Sequence, residues 1–167
     1  MKKLFMYELV EVPISKQIIT LIANEFLKKS VVYSIQELEE AKEQGLFMTL
    51  LYNQQKELMG YAIQRPVNLN YLYEQSVEQE FFYNPSSSTY ILIDVIELKP
   101  QFQRKGYASH YIEQIQQKSD LPIIILAARG TKETFWNPLG FHHVTEKSPW
   151  MVWTPIGVAP KRHVQVV

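Results

Sequence analysis

The stretch Leu98-Lys99-Pro100-Gln101-Phe102-Gln103-Arg104-Lys105-Gly106-Tyr107-Ala108-Ser109 decides how the chain reads. Before it, residues 90–98 are nearly continuous in apolar and β-branched side chains, the pattern of a strand covered on both faces. After it, residues 106–118 carry a helical pattern that opens on glycine. A buried strand therefore runs through a short polar loop straight into a helix. The first N–H groups of such a helix lack intrahelical partners and stand at the positive end of its dipole. Gly106 and Ala108 leave that backbone uncovered, and Arg104 and Lys105 add positive charge, so the turn is suited to close on a phosphate group. The alternative reading is an ordinary helix start with a glycine in the turn and solvated basic residues. A Walker loop is excluded, because no Gly-Lys-Ser/Thr follows, and the three-glycine spacing of a dinucleotide fingerprint is absent.

Working outward, residues 121–128 form a second near-continuous apolar run and read as another central strand. Strand–helix–strand implies one parallel pair with a right-handed crossover. Residues 131–139 read as a short helical segment limited by Pro138 and Gly140, and 141–146 with 150–155 as a closing antiparallel pair. Upstream, 4–12 reads as a strand and 15–29 as a helix. Ser34 followed by Glu37 is a capping-box signature opening a short helix that stops near Gly45. Residues 46–52 and 58–64 then read as a hairpin. The sum is an α/β fold with a mixed, mainly antiparallel sheet. A single domain over residues 1–158 is expected, with 159–167 as a tail.

Bulk composition narrows the function. The 167 residues are 46% hydrophobic and 13% aromatic, which favours a packed core over disorder. Lys+Arg and Asp+Glu balance at 17 each, so no nucleic-acid footprint is expected. The absence of cysteine excludes thiolate catalysis, disulfides and Cys-ligated zinc, and suits a reducing cytoplasm. Lys2 and Lys3 are not followed by the apolar run of a signal peptide, and no stretch approaches the ~18 apolar residues that span a bilayer. No membrane association is expected. Adjacent His142 and His143 point to opposite faces of a strand, while His110 and His163 lack spaced partners, so no metal is expected.

The spacing Gln-x-x-Gly-x-Ala at Gln103 to Ala108 resembles motif A of the GNAT N-acetyltransferases, Gln/Arg-x-x-Gly-x-Gly/Ala. Leu98-Lys99-Pro100 stands where that family often has Val-x-Pro. Phe135-Trp136-Asn137-Pro138-Leu139-Gly140-Phe141 resembles its closing Phe-Tyr-x-x-Leu-Gly-Phe. The motif match covers residues 90–153, and the first half agrees in architecture only. The resemblance implies the GNAT fold, with a splayed central parallel pair and flanking helices. It implies an acyl-CoA-dependent N-acyltransferase, most simply one using acetyl-CoA, in which an amine attacks the thioester directly. It places the CoA pyrophosphate on the amides around Gln103, Arg104, Lys105, Gly106, Tyr107, Ala108 and Ser109. Backbone groups at a bulge around Ile96 and Leu98 would serve the pantetheine.

Two positions depart from the family pattern. Trp136 replaces a tyrosine whose hydroxyl protonates the leaving thiolate, and an indole N–H is no practical acid. Another group would have to serve, and Tyr107 and Tyr111 lie near in sequence. Trp136 would then pack against pantetheine or fill core. Arg129 replaces a frequent asparagine; it would either reach a CoA phosphate or be solvated.

Asp94 stands out by itself, because it interrupts the apolar run from Ile91 to Ile96. A buried carboxylate is costly unless paired or neutralised. The resemblance implies that it collects the amine proton; the alternative is a structural carboxylate satisfied by backbone or tyrosine. Glu97 is the second catalytic candidate, expected near the bulge and facing solvent. Residues 66–89 are long for a plain connection, with a short helix expected at 72–82. This segment carries Tyr71, Tyr73, Phe81, Phe82 and Tyr83 beside Glu74, Glu78 and Glu80. It is expected to form the side that takes a small-molecule or peptide amine, with Tyr71 and Tyr73 in contact. The alternative is a loop anchored on the core, or a homodimer contact. Two other functions stay open: a GNAT-like sensor that binds acyl-CoA without turnover, and an interaction module with no CoA site.

Overall fold

Local signals start the elements in the computed structural model, which describes residues 5–27, 34–74, 88–127, 133–145 and 148–155. Strand β1 is Tyr7–Pro13. Ser15 caps helix α1, Lys16–Ile22, by accepting the Ile18 N–H at 3.2 Å. The helix continues as a π-helical turn, Ala23–Leu27. Ser34 and Glu37 form the expected reciprocal capping box on α2, Ile35–Glu43, with the Glu37 N–H 3.1 Å from Ser34 Oγ. Strands β2, Phe47–Asn53, and β3, Leu58–Asn68, make the hairpin. Its turn is closed by Asn53 Oδ1, which accepts the N–H groups of Gln55 and Glu57 at 3.0 and 2.8 Å.

Strand β3 runs four residues beyond the expected hairpin, through Pro66, because Val67 is buried and holds the chain extended. Helix α3 is Leu69–Glu74, so helix begins before the expected residue 72. The cause is Asn68, whose Oδ1 accepts the Tyr71 N–H at 2.8 Å in the manner of an N-cap. Strand β4 is Thr89–Leu98, α4 is Tyr107–Lys118 and β5 is Ile123–Leu126, shorter than its apolar run suggests. Helix α5, Glu133–Trp136, tightens into a 3₁₀ turn at Asn137–Leu139. Strands β6, His142–His143, and β7, Trp150–Trp153, close the chain's described part.

The strands are ordered β1-β2-β3-β4-β5-β7-β6. The pairs β1–β2, β2–β3, β5–β7 and β6–β7 are antiparallel. β4 and β5 are the parallel pair, in register Ile91↔Ile123, Leu92↔Ile124 and Ile93↔Ile125. This is the mixed, mainly antiparallel sheet that the element order implies.

Two compact units divide the chain, one of Met1–Gln64 with Asp94–His110, the other of Arg65–Ile93 with Tyr111–Val167. The first has its core where Ile19, Ile22, Phe26 and Leu38 of the helical layer meet Met48, Leu50, Tyr61, Ile63 and Val95 of the strands. The second is built on Val67, Leu72, Tyr90, Leu92, Ile124, Trp150 and Val152. Each fully buried aliphatic or aromatic side chain of this kind contributes roughly 1.5–3 kcal/mol.

Candidate functional site

The end of β4 sorts its side chains by parity. A strand alternates faces, so Val95 and Glu97 share the face that carries the first unit's core, and Asp94 and Ile96 share the other. Asp94 is half-buried, whereas Glu97 is only 8% exposed. This corrects the expectation that Glu97 faces solvent and Asp94 is the more deeply placed carboxylate. The buried position is tenable because the Tyr61 hydroxyl, from β3, donates to Glu97 Oε1 at 3.0 Å. Tyr61 is itself held by Phe26 of the π turn, edge-on at 5.0 Å between ring centroids.

Gly60 lets β3 approach this end of β4. A Cβ there would overlap the Glu97 carbonyl oxygen and Leu98 Cδ2, so no larger residue fits. Beside it the Lys99 N–H donates to the Met59 carbonyl at 2.9 Å. Pro100 then opens a 3₁₀ turn, Pro100–Phe102, in which Phe102 and Gln103 bond back to the carbonyls of Lys99 and Pro100 at 2.9 and 3.2 Å. The Gln103 side chain folds back as well, and its Nε2 donates to the Leu98 carbonyl at 2.8 Å. Gln103 thus ties the loop to the strand that precedes it.

The loop turns sharply after that tie. Arg104 has φ 60° and Gly106 φ 88°, two left-handed residues within three positions. For arginine that conformation costs roughly 1–2 kcal/mol. The first rung of α4 is His110 N–H to Gly106 O at 3.0 Å, so the amides ahead of it lie outside the helix's own ladder. Arg104, Lys105 and Gly106 are exposed, and Tyr107, Ala108 and Ser109 half-buried. The structure therefore brings residues 103–109 together as one turn, with two exposed cations and helix amides outside the ladder at the positive end of a 12-residue helix.

In the second unit, Trp136 is 3% exposed and packs edge-on against Phe135 and Phe141, with centroids 4.7 and 5.0 Å away. It fills core there. Tyr111 is likewise buried. Tyr71 is anchored by Arg65, whose Nη2 donates to its hydroxyl at 2.7 Å and whose Cζ lies 4.8 Å from its ring centroid. Arg129, the Tyr73 side chain, Phe81, Phe82, Tyr83, Glu78 and Glu80 lie outside the described residues. Among the described residues no three His, Cys, Asp or Glu side chains gather as a metal site would need, and His143 Nδ1 is 2.8 Å from the Ser148 carbonyl. No helix among them is long and apolar enough to cross a membrane.

Sequence reading missed Tyr61 as the partner of Glu97, and the packing at Gly60. The second had a signal, since an isolated glycine inside a strand pattern marks a close backbone approach. The first had none, because the pair is 36 residues apart.

No family model matches the sequence. An uncharacterised N-acetyltransferase of Staphylococcus epidermidis is 33% identical over 83 residues, which are 47% of this chain and 54% of that protein. The chain thus spans about half the length of the curated relative it matches. Among solved structures, Arabidopsis thaliana NAA60 in complex with a bisubstrate analogue superposes with a TM-score of 0.59 at 11% identity, over 90% of this chain and 99% of that one. The GNAT family N-acetyltransferase YhbS of Escherichia coli, in complex with CoA, gives 0.53 at 11% identity, over 92% and 83%. The fold is therefore that of the GNAT acetyltransferases, and the resemblance carried by residues 98–109 and 135–141 is borne out at the level of fold.

Proposed function

We propose that the chain is an acyl-CoA-dependent N-acyltransferase that moves an acetyl group from acetyl-CoA to an amine. The turn at residues 103–109 carries the reading. Its helix amides stand outside the ladder, and Arg104 and Lys105 are exposed beside them. These features fit the pyrophosphate of CoA, which has the matching charge and needs close backbone approach. The donor supplies an activated thioester, so no protein nucleophile is required, in keeping with a chain that has no cysteine.

Asp94 is the group we assign to collect the amine proton. It lies on the face of β4 away from the first unit's core and is half open, whereas Glu97 is buried and already accepts from Tyr61. Glu97 holds the strand end in place. Trp136 has no acidic proton to give, so the departing thiolate takes its proton from solvent or from the half-buried Tyr107. The amine acceptor, a small molecule or a peptide, is assigned to the segment at residues 66–89 with Tyr71 and Tyr73. Because Arg65 holds the Tyr71 hydroxyl, Tyr71 would contribute its ring. A cytoplasmic location completes the reading. Calorimetry with acetyl-CoA, followed by thiol release against a panel of amines, tests it; absence of binding would sink it. One observation favours a second reading, a sensor that binds acyl-CoA without turnover. A buried tryptophan occupies the position of the family's tyrosine acid, and binding with no activity on any amine would support that choice.

A further inference from the structure

We infer that Phe5, Tyr7 and His110 form an aromatic clamp that fixes the opening turn of α4 and, on the donor-binding reading above, sets the affinity for the acyl donor. The Phe5 ring lies against the bare backbone of Gly106: a Cβ there would stand 2.9 Å from Phe5 Cζ and 3.2 Å from Cε1. The same ring stacks on His110, with centroids 4.6 Å apart and planes at 25°, and meets Tyr107 edge-on at 5.5 Å. Tyr7, the first residue of β1, meets Tyr107 and His110 edge-on at 6.0 and 5.6 Å. Its hydroxyl lies 2.8 Å from His110 Nδ1, a hydrogen bond across 103 residues of sequence.

His110 is also the residue whose N–H makes the first rung of the helix, to Gly106. The N-terminal segment therefore grips both ends of the first turn, Gly106 by contact and His110 by a stack and a hydrogen bond. Helix ends fray, and a turn with two left-handed residues has more ways to open than a regular helix start. Helix amides bind an anion well only when they converge on it, and ordering them at the moment of binding weakens affinity. A clamp supplied from another part of the chain removes that cost beforehand. Helix propensity in α4 gives no reason for Phe5 and Tyr7 to be there.

Two measurements on the intact chain test the clamp. Hydrogen–deuterium exchange without ligand reads the amides of residues 110–113, which bond back to the opening turn, and calorimetry reads acetyl-CoA affinity. The variants are Phe5→Ala, Tyr7→Phe, His110→Ala and the Tyr7→Phe/His110→Ala pair. Tyr7→Phe keeps its ring, so it remains informative if Phe5→Ala folds poorly. Each single change should speed exchange in the first turn while leaving the later turns of α4 as they are. Tyr7→Phe should weaken acetyl-CoA binding about 3- to 10-fold, the weight of one hydrogen bond. It should do less in the His110→Ala background, because the bond to His110 is already gone. With an acceptor in hand, the donor KM should rise while kcat and the acceptor KM hold. Unaltered exchange at 110–113 overturns the clamp. Faster exchange with unaltered affinity overturns its donor role. A wild-type chain that does not bind acetyl-CoA overturns the donor reading and with it the clamp's part in binding. The exchange data distinguish that failure from one of the clamp itself.

Discussion

Replacing Gly60 with alanine should damage the fold at the point where the candidate site is anchored. The added methyl would overlap the Glu97 carbonyl oxygen and Leu98 Cδ2, and it would lie 3.2 Å from Leu98 Cα. A side chain can swing away from such a contact, but a strand carbonyl cannot move without its neighbours. Overpacking of a core costs about 1–3 kcal/mol, and the backbone clash puts this case in the upper half of that range. For a chain of this size, where each kcal/mol is worth about 2–4 °C, Tm should fall by about 4–12 °C. Thermal melts followed by circular dichroism give the shift, and urea midpoints give it independently. The damage should reach the turn at residues 103–109, which we propose holds the donor, since Gln103 is tied to the carbonyl of Leu98. Acetyl-CoA affinity should therefore fall in the folded variant too. Adding Leu98→Ala relieves one of the two clashes, so the double variant should lose less than the sum of the single losses. A Gly60→Ala protein that melts within about 1 °C of wild type would refute the packing account.

Three further outcomes are expected. Arg104→Gly should melt about 2–8 °C above Arg104→Ala, because only glycine is at ease with φ 60°, while both lose the same cation and the same share of acetyl-CoA affinity; equal melting would show that the left-handed turn is not held. Asp94→Asn should cut kcat by roughly 10²-fold with acetyl-CoA affinity and Tm intact, and full activity would return Asp94 to a structural role. Tyr61→Phe removes a donor to the buried Glu97, at a cost of about 1–3 kcal/mol, so melts should show the loss while turnover per folded molecule holds.

The strand–turn–helix at 98–109 is legible in the sequence because every signal in it is local. The same holds for Ser34 with Glu37, three residues apart, and for the Asn53 turn. What escapes the sequence depends on partners that meet only in the fold: Tyr61 with Glu97, and Tyr7 with His110. Gly60 lies between these cases, since a lone glycine in a strand announces a close approach without naming what approaches.

The two carboxylates of β4 show how far a local rule reaches. Asp94 and Glu97 are three residues apart, and the period of two in a strand without a bulge between them places them on opposite faces. They therefore cannot both serve one reacting centre on one face of β4. Parity alone does not say which face holds the core, and that choice fell to Val95 and Tyr61, which bring Glu97 inward. Asp94→Asn and Tyr61→Phe thus probe two halves of one assignment. If turnover falls with the first and stability with the second, Asp94 is the base and Glu97 the anchor. If Tyr61→Phe instead lowers turnover with Tm unmoved while Asp94→Asn stays active, the base is Glu97, and the reacting amine must approach from the face now assigned to the core.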